Sequence, residues 1–349
     1  TAEDVVFTYE FITNPTVAAV TAQYYRNIEA VDAVDEHTVK ITFEQPTASW
    51  QIPFTGLNGL VLPRHLFKDF NNRDAREAPA NFQPVGTGPY RYLTNANERL
   101  LFATNELYRQ PVTGFKRVEL TGNVPPYVAA RDVLRDGTAD FAHNIQLESS
   151  ALVDLVQTGE AGTLVLTFGS QVERIMLNFA DPSQETEAKE RASVEFPHPI
   201  LADVEVRQAI DYGIDRQTIV EQLYGDLGLP TSQLLVAPEL FESEPIDHSY
   251  DPDTARALLE EAGWVDSDGD GVRDRNNQPL QLVFQTSIGT IRQATQTLVQ
   301  EQLAAIGIDI LIERVRAEDF FSADPTQTKS INHFYADIQD YSIGNDIPD

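Results

Sequence analysis

The 349-residue sequence contains no cysteine, one methionine and two tryptophans. The absence of cysteine excludes disulfide bonds, thiolate metal sites and cysteine nucleophiles. It leaves the compartment open, because a chain without thiols is unaffected by either redox setting. No run of 18 apolar residues occurs, so no segment predicts a membrane-spanning helix.

Basic residues are also scarce. The sequence has 25 Lys and Arg against 54 Asp and Glu, for a net charge of −29. A surface with this charge repels polyphosphates, so we expect no nucleic-acid partner. The hydrophobic fraction of 42% indicates a globular chain, and the length predicts about two domains at roughly 150 residues each.

The motifs of common enzyme classes are missing. Gly86 and Gly88 are followed by Arg91 where a dinucleotide loop has its third glycine, and no phosphate loop or nucleophile elbow occurs. No two of the six histidines are four positions apart, so no zinc-binding helix is predicted. An acidic hydrolase has only its carboxylate count in its favour, since 54 acids place some pairs together by chance. We therefore expect a protein that is not an enzyme.

The first part of the chain, residues 1–110, predicts a mainly antiparallel α+β unit. Residues 38–43 alternate polar and apolar side chains, as a half-buried strand does. Residues 91–93 and 100–104 flank a polar turn and predict a hairpin whose loop is longer than two residues.

From residue 111 onward the pattern is that of an α/β protein. Three strands with two intervening helices predict a parallel sheet, with 163–168 as a strand buried on both faces. The polar segment 181–195 predicts a solvated loop. The predicted strands are 117–120, 140–142 and 163–168, and the predicted helices are 127–134 and 148–156.

A second βαβ module follows at the C-terminal end. Asp215 and Asp251 are predicted helix N-caps, and Pro252 and Gly263 mark the first position and the end of the second of these helices. Two modules separated by an acidic stretch near 230–250 indicate two α/β lobes with a cleft between them. The strands of this module are 280–284 and 308–315, with a helix at 291–306 between them, and helices at 206–214 and 251–263 precede it.

The segment DSDGDGVRD, residues 266–274, resembles the first part of a calcium loop. Four aspartates stand at positions 1, 3, 5 and 9, and a glycine at position 6 allows the sharp turn. Position 12 is Asn277 instead of a bidentate Glu, and a strand follows, so this is not an EF-hand. Two interpretations remain: a structural calcium ion, or a solvated helix-to-strand turn. The candidate metal ligands are Asp266, Asp268, Asp270 and Asp274.

Four segments together resemble the family-5 solute-binding proteins of ABC importers, which include oligopeptide-, dipeptide- and nickel-binding members. They occur in the family's order and cover the whole chain. The segments are TAEDVVFTY at 1–9, PVGTGPY at 84–90, VRQAIDYGIDRQTIV at 206–220 and YDPDTARALLEEAGW at 250–264.

The resemblance implies a type II periplasmic-binding-protein-like α/β fold, in which two lobes enclose a cleft and an extra α+β domain is added. Residues 1–110 would be the extra domain, 111–235 part of the first lobe, and 236–349 a C-terminally incomplete part of the second. Family members are longer at both ends, and the first residues lack signal-peptide features. We therefore expect a chain that is truncated at both ends.

The resemblance also implies a function. The lobes would close by a hinge on an oligopeptide or similar small polar solute and deliver it to the membrane subunits of an ABC permease. The protein would be extracytoplasmic, either periplasmic or anchored at the cell surface, monomeric, and without a required cofactor beyond the calcium ion considered above. The alternative is a calcium-stabilised surface or adhesion module on the same scaffold.

The resemblance finally names ligand-contacting residues. Asp346 falls where an aspartate of the peptide binders receives the ligand's ammonium group, by a charge-assisted hydrogen bond that a dry cleft strengthens. Ile343 stands where many members have Trp, and Asn345 lies in the same segment.

Four more residues complete this set of expectations. Glu173 and Arg174 lie at a strand end that faces the cleft in the family, and Tyr24 is a candidate for its apolar wall. Asp340 stands where some members have a basic residue for the ligand carboxylate. This last departure favours a cationic or uncharged ligand.

Overall fold

The computed structural model describes residues 1–237, 240, 242 and 249–344, except for the side chain of Asn58. By its contacts the chain divides into two compact units. The N-terminal unit spans Thr1–Val124, and the C-terminal unit begins at Pro125.

The N-terminal unit begins with helix α1 (Ala2–Thr13), which packs on the antiparallel pair β1 (Ile28–Ala33) and β2 (Val39–Phe43). The Tyr9 hydroxyl donates a hydrogen bond of 3.0 Å to the Ile28 carbonyl. Short helices cover the remaining apolar side chains. They are α2 (Arg64–Phe67), α3 (Pro79–Phe82) and the 3₁₀ turns Val20–Tyr25, Leu57–Gly59, Lys68–Phe70 and Ala75–Glu77.

A three-stranded antiparallel sheet completes this unit, with strands β3 (Tyr90–Ala96), β4 (Arg99–Thr104) and β5 (Arg117–Thr121). The predicted hairpin is confirmed, but the prediction of a longer loop is wrong. Asn97 and Glu98 form a two-residue turn, with φ of 53° and 61°. Positive φ at both central residues suits the twist of a tight hairpin, and asparagine tolerates it.

The predicted parallel sheet over 117–168 is wrong. β5 pairs antiparallel with β4, and residues 140–142 and 163–168 form no strand. Val165 and Phe168 are 79% and 58% exposed. An apolar run forms a strand only when a neighbouring strand accepts its main-chain hydrogen bonds, and the described residues supply none here. The two helices of this stretch are confirmed.

Seven helices of the described C-terminal unit are α4 (Pro126–Leu134), α5 (Ser149–Thr158), α6 (Val204–Gly213), α7 (Arg216–Ile219), α8 (Pro252–Glu261), α9 (Thr290–Ala304) and α10 (Ala317–Phe320). α7 continues into a π turn (Val220–Tyr224) and a 3₁₀ turn (Gly225–Leu227). Both predicted N-caps are confirmed: Asp215 accepts from the Thr218 amide, and Asp251 from the Asp253 and Thr254 amides.

The strands of this unit are β6 (Gln171–Leu177), β7 (Asp274–Arg275), β8 (Gln278–Pro279), β9 (Gln281–Ser287), β10 (Asp309–Val315) and β11 (Ile338–Gly344). Four of them form a sheet in the order β10-β9-β11-β6. β9, β10 and β11 run parallel, and β6 is antiparallel to β11. The main core lies between this sheet and α6, α8 and α9, with Leu282, Phe284, Trp264 and Leu303 fully buried.

This sheet crosses the boundary predicted at residue 235, because β6 precedes that residue and the other three strands of the sheet follow it. The contact boundary after Val124 also differs from the one predicted at 110. The lobe assignments stay a prediction. None of the described helices is long and apolar enough to cross a membrane.

Candidate ligand-binding edge of the sheet

The parallel strands β9, β10 and β11 end at one edge of the C-terminal sheet, at Ser287, Val315 and Gly344. The antiparallel strand β6 begins there at Gln171, and α9 begins three residues after β9. We call this the carboxyl edge. In α/β sheets ligands bind outside the carboxyl ends of the strands, so the carboxyl edge is the candidate site.

The predicted ligand contact Glu173 is paired with a buried arginine at this edge. Its carboxylate accepts hydrogen bonds from Nε of Arg292 and, at 3.2 Å, from Nη2 of Arg292. Arg292 is 7% exposed, and its Nη1 donates to Ser287 Oγ at 2.9 Å. Glu173 therefore already has a cationic partner, which lowers its capacity to bind the ammonium group of a ligand.

Asp340 lies in β11 beside this ion pair. Its residue exposure is 1%, and neither carboxylate oxygen receives a hydrogen bond from the described residues. Burial and the nearby Glu173 charge raise the pKa of Asp340 well above its ordinary value, and Arg292 opposes this in part. The carboxyl group of Asp340 is enclosed by protein, and its correspondence to a ligand-contacting residue of the family stays a prediction.

The signal for this burial was present in the sequence. Ile338 and Asp340 are two positions apart in β11 and so share one face of the strand, where Ile338 is apolar. An acidic residue in the apolar phase of a strand indicates a buried carboxyl group.

Arg174 and Ile343 lie on the same two strands. Arg174 is opposite Tyr341, and its Nη2 donates to the Leu234 carbonyl at 2.8 Å. Ile343 is opposite Val172 and half-buried. β11 ends at Gly344, and the next residues of the chain, Asn345 and Asp346, lie outside the described residues.

Tyr24 lies in the N-terminal unit, in the 3₁₀ turn Val20–Tyr25. It is half-buried and packs against a cluster that contains Ile12, Tyr25 and Ile28. Within its own unit it acts as a core residue, and its predicted ligand contact stays a prediction.

A hydrogen-bonded histidine fixes the start of β11. Asp337 accepts from Nε2 of His198 at 2.9 Å and from the Val283 amide at 2.6 Å. Nδ1 of His198 in turn accepts from the amides of Ile200 and Leu201 at 3.1 and 2.9 Å. With Nδ1 as acceptor, Nε2 carries the proton. The scattered histidines of the sequence gave no sign of this structural role.

The acidic loop carries both turn geometry and a group of oxygen atoms. Asp266 accepts from the amides of Gly269 and Gly271 at 2.8 and 3.1 Å. One carboxylate oxygen each from Asp266, Asp268 and Asp270 lies within 4.8 Å of the others.

Asp274, the fourth predicted metal ligand, is not in that group. It accepts from the amide and hydroxyl of Ser267 at 3.1 and 2.6 Å. Three carboxylates suit a hard cation such as Ca²⁺, and the same loop satisfies its own amides. Both interpretations of the loop remain open.

Comparison with known proteins identifies the family. The model described as "Bacterial extracellular solute-binding proteins, family 5 Middle" matches residues 1–349. The chain belongs to this family. An ABC transporter peptide-binding protein of Brucella ovis is 25% identical over 319 residues, which cover 89% of this chain and 53% of the relative.

Solved structures agree on the fold of this family 5 chain. Lactococcal OppA, complexed with an endogenous peptide, has a TM-score of 0.78 at 19% identity over 98% of this chain and 67% of its own. NikZ from Campylobacter jejuni, in complex with Ni(L-His), has a TM-score of 0.71 at 21% identity, covering 99% of this chain and 62% of its own.

These findings confirm the family resemblance and the type II periplasmic-binding-protein fold class. They also confirm that the chain belongs with substrate-binding proteins of transporters and not with enzymes. The chain spans about half the length of the curated relatives it matches. No comparison supports the alternative of an adhesion module.

Proposed function

We propose that this family 5 chain is part of the substrate-binding component of an ABC importer. It captures an oligopeptide or a similarly sized polar solute at the carboxyl edge and delivers it to the membrane subunits of a permease. The observation that carries the proposal is the carboxyl edge itself. There β11 ends at Gly344, directly before the segment that resembles the amine-binding motif.

The charged residues at the carboxyl edge limit which side chain can bind a charged group of the ligand. Glu173 is held by Arg292, and the Asp340 carboxyl group is buried. Recognition of a ligand ammonium group is therefore assigned to Asp346. A charge-assisted hydrogen bond at that residue favours ligands with a free amine.

The test is a ligand screen on the full-length natural protein. We expect di- to hexapeptides with a free N-terminus to raise its melting temperature, because a ligand that binds the folded state stabilises it by RT ln(1 + [L]/Kd). If peptides, sugars and nickel chelates all leave the melting temperature unchanged, a transport-binding role is overturned.

The Asp346→Asn variant tests the amine site. We expect its affinity for a free-amine peptide to fall about tenfold to a hundredfold, because a hydrogen bond to a charged group contributes about 1.5–3 kcal/mol. Calorimetry with the same peptide, N-acetylated, should show little difference between variant and parent. Asp140→Asn, in an exposed segment, is the matched control. Equal free-amine affinities for Asp346→Asn and its parent would remove Asp346 from the site.

We also propose that the protein is monomeric and lies outside the cytoplasm, in the periplasm or anchored at the cell surface. The family description supports the extracellular location. Cell fractionation distinguishes the periplasmic form from the anchored one, and light scattering of the purified protein measures its mass.

A further inference from the structure

Within the described part of the chain, the carboxyl group of Asp340 has no hydrogen-bond donor, although it lies among polar side chains. The groups that act on it are Glu173 from β6, Arg292 from α9 and Tyr224 from the π turn. Both oxygens are buried and receive no hydrogen bond from the described residues. A buried ionised carboxylate without donors is costly, whereas a protonated one is much less so.

Two nearby donor residues, Arg292 and Thr286, direct their donors to other acceptors. Arg292 directs Nε and Nη2 to Glu173 and Nη1 to Ser287. The hydroxyl of Thr286 donates at 2.8 Å to the main-chain oxygen of Asp340, and not to its side chain. Asp340 lies opposite Ile175 in the β6–β11 pair, and Glu173 is two residues from Ile175, so Glu173 is a diagonal neighbour of Asp340 on the same face of the sheet. Two carboxylates in this position are both acceptors, so a hydrogen bond between them requires one proton.

We propose that Asp340 is held at neutral pH as a carboxylic acid that donates its proton to the Glu173 carboxylate. Asp340, Glu173 and Arg292 then form a clasp that joins β11, β6 and α9 beneath the carboxyl edge and depends on a single proton. The proposal concerns the folded unit itself and does not rest on the proposed function.

The charge balance assigns the proton to Asp340. Arg292 neutralises Glu173 through two hydrogen bonds, which stabilises the ionised form of Glu173. With Asp340 protonated the clasp has no net charge; without the proton it has a net charge of −1 in a buried position. Burial and the charges of Glu173 and Asp340 raise the pKa of Tyr224, so Tyr224 stays neutral near pH 7 and does not compensate.

The pH dependence follows from the direction of the shift. Asp340 keeps its proton in the folded state and loses it in the unfolded state, where an aspartate ionises near pH 4. The folded state therefore binds more protons, and stability falls as the pH rises from about 4 toward the folded pKa. Over that window the unfolding equilibrium constant rises about tenfold per pH unit, which is about 1.4 kcal/mol.

Infrared spectroscopy of the 349-residue chain tests the protonation directly. A buried carboxylic acid has a carbonyl stretching band that an ionised carboxylate lacks. We expect this band in the parent protein at pH 7 and its loss in Asp340→Asn. If the parent has no such band at pH 7, or if the band persists in Asp340→Asn, the proposal is overturned.

Urea unfolding between pH 5 and 8 tests the consequence for stability. Trp50→Phe removes the exposed tryptophan of the N-terminal unit, so that the buried Trp264 reports on the C-terminal unit alone. In this background Asp340→Asn should gain stability relative to its parent as the pH rises, because the amide still donates to Glu173 and does not titrate. The gain should approach tenfold in the unfolding constant per pH unit.

Asp181→Asn is the matched control, because it changes another buried aspartate of the same unit whose pKa is lowered. Its difference from the parent should be constant between pH 5 and 8. If Asp340→Asn also shows a constant difference, Asp340 does not hold the proton.

Discussion

Two buried aspartates of the C-terminal unit have pKa values that are shifted in opposite directions. Asp181 is 8% exposed and accepts hydrogen bonds from the Ser183 amide, the Ser183 hydroxyl and the Gln184 side chain. Asp340 is 1% exposed and accepts none at its carboxyl group. Burial alone would raise both pKa values, but the donors around Asp181 lower its pKa.

At Asp181 the hydrogen-bond donors outweigh burial, whereas at Asp340 burial and the Glu173 charge both raise the pKa. Asp181 lies in a loop whose free amides need an acceptor. Asp340 lies within a strand whose amides already pair with β6 and β9. Removing donors or partners from one site and not the other should therefore change the two acids in different ways.

The largest expected effect is at the arginine of the Asp340 site. Arg292→Met leaves Glu173 without its cation beside Asp340, and breaking a buried ion pair costs about 3 kcal/mol. Urea unfolding at pH 7 measures the loss. Arg256→Met, whose exposed partner Asp253 lies three residues away, is the control and should cost under about 0.5 kcal/mol.

Glu173→Gln combined with Arg292→Met should recover part of that loss, because no ionised side chain then lacks its partner. If Arg292→Met costs no more than Arg256→Met, the guanidinium does not stabilise the buried acids.

An intermediate effect is expected at Asp181. Asp181→Ala leaves the Ser183 amide and the Gln184 side chain without their acceptor, which should cost about 2 kcal/mol at pH 7. Because the folded pKa is lowered, this stabilisation is present above the ordinary aspartate pKa and is lost as the pH falls below about 4. Acid titration followed by circular dichroism should show a smaller difference between parent and variant at pH 3 than at pH 7. A difference that grows on acidification would contradict the assignment.

The smallest effect is expected at the acidic loop, where three exposed carboxylates lie close together. On the calcium interpretation we expect millimolar Ca²⁺ to raise the melting temperature slightly, as weak extracellular sites do. Calorimetry should detect binding heat in the parent and none in Asp268→Ala. The control variant Asp32→Ala, at an exposed position of β1, should retain the binding heat. No heat in the parent would leave only the turn interpretation.

Local features of the fold could be predicted from the sequence. The capped helices α7 and α8 were found because an aspartate, a proline and a glycine act within one or two turns of the chain. β9, α9 and β10 were found from their apolar periodicity. In contrast, the apolar run 163–168 has the composition of a buried strand, but whether it forms a strand depends on another segment that pairs with it.

Less of the candidate site could be predicted, because its contacts also join segments that are distant in the sequence. The motif resemblance placed Glu173 and Arg174 at a strand end that faces the cleft in the family; β6 contains both residues, and their contact with a ligand stays a prediction. It did not predict the partner of Glu173, because Arg292 is 119 positions away in the chain. The burial of Asp340 could have been inferred from the alternation of β11, but the missing donors depend on three separate elements.

The pairing of β6 with β11 has a consequence for how the unit folds. The hydrogen bond from Ser342 to Gln171 joins residues 171 positions apart, whereas β9 and β10 pair across a single helix. Closing the longer loop costs more chain entropy, and nonlocal pairing slows folding. We infer that β9, α9 and β10 form first and that β6 joins the sheet late. The β6 side of the carboxyl edge, which carries Glu173, would then be the last part of the sheet to reach its native order.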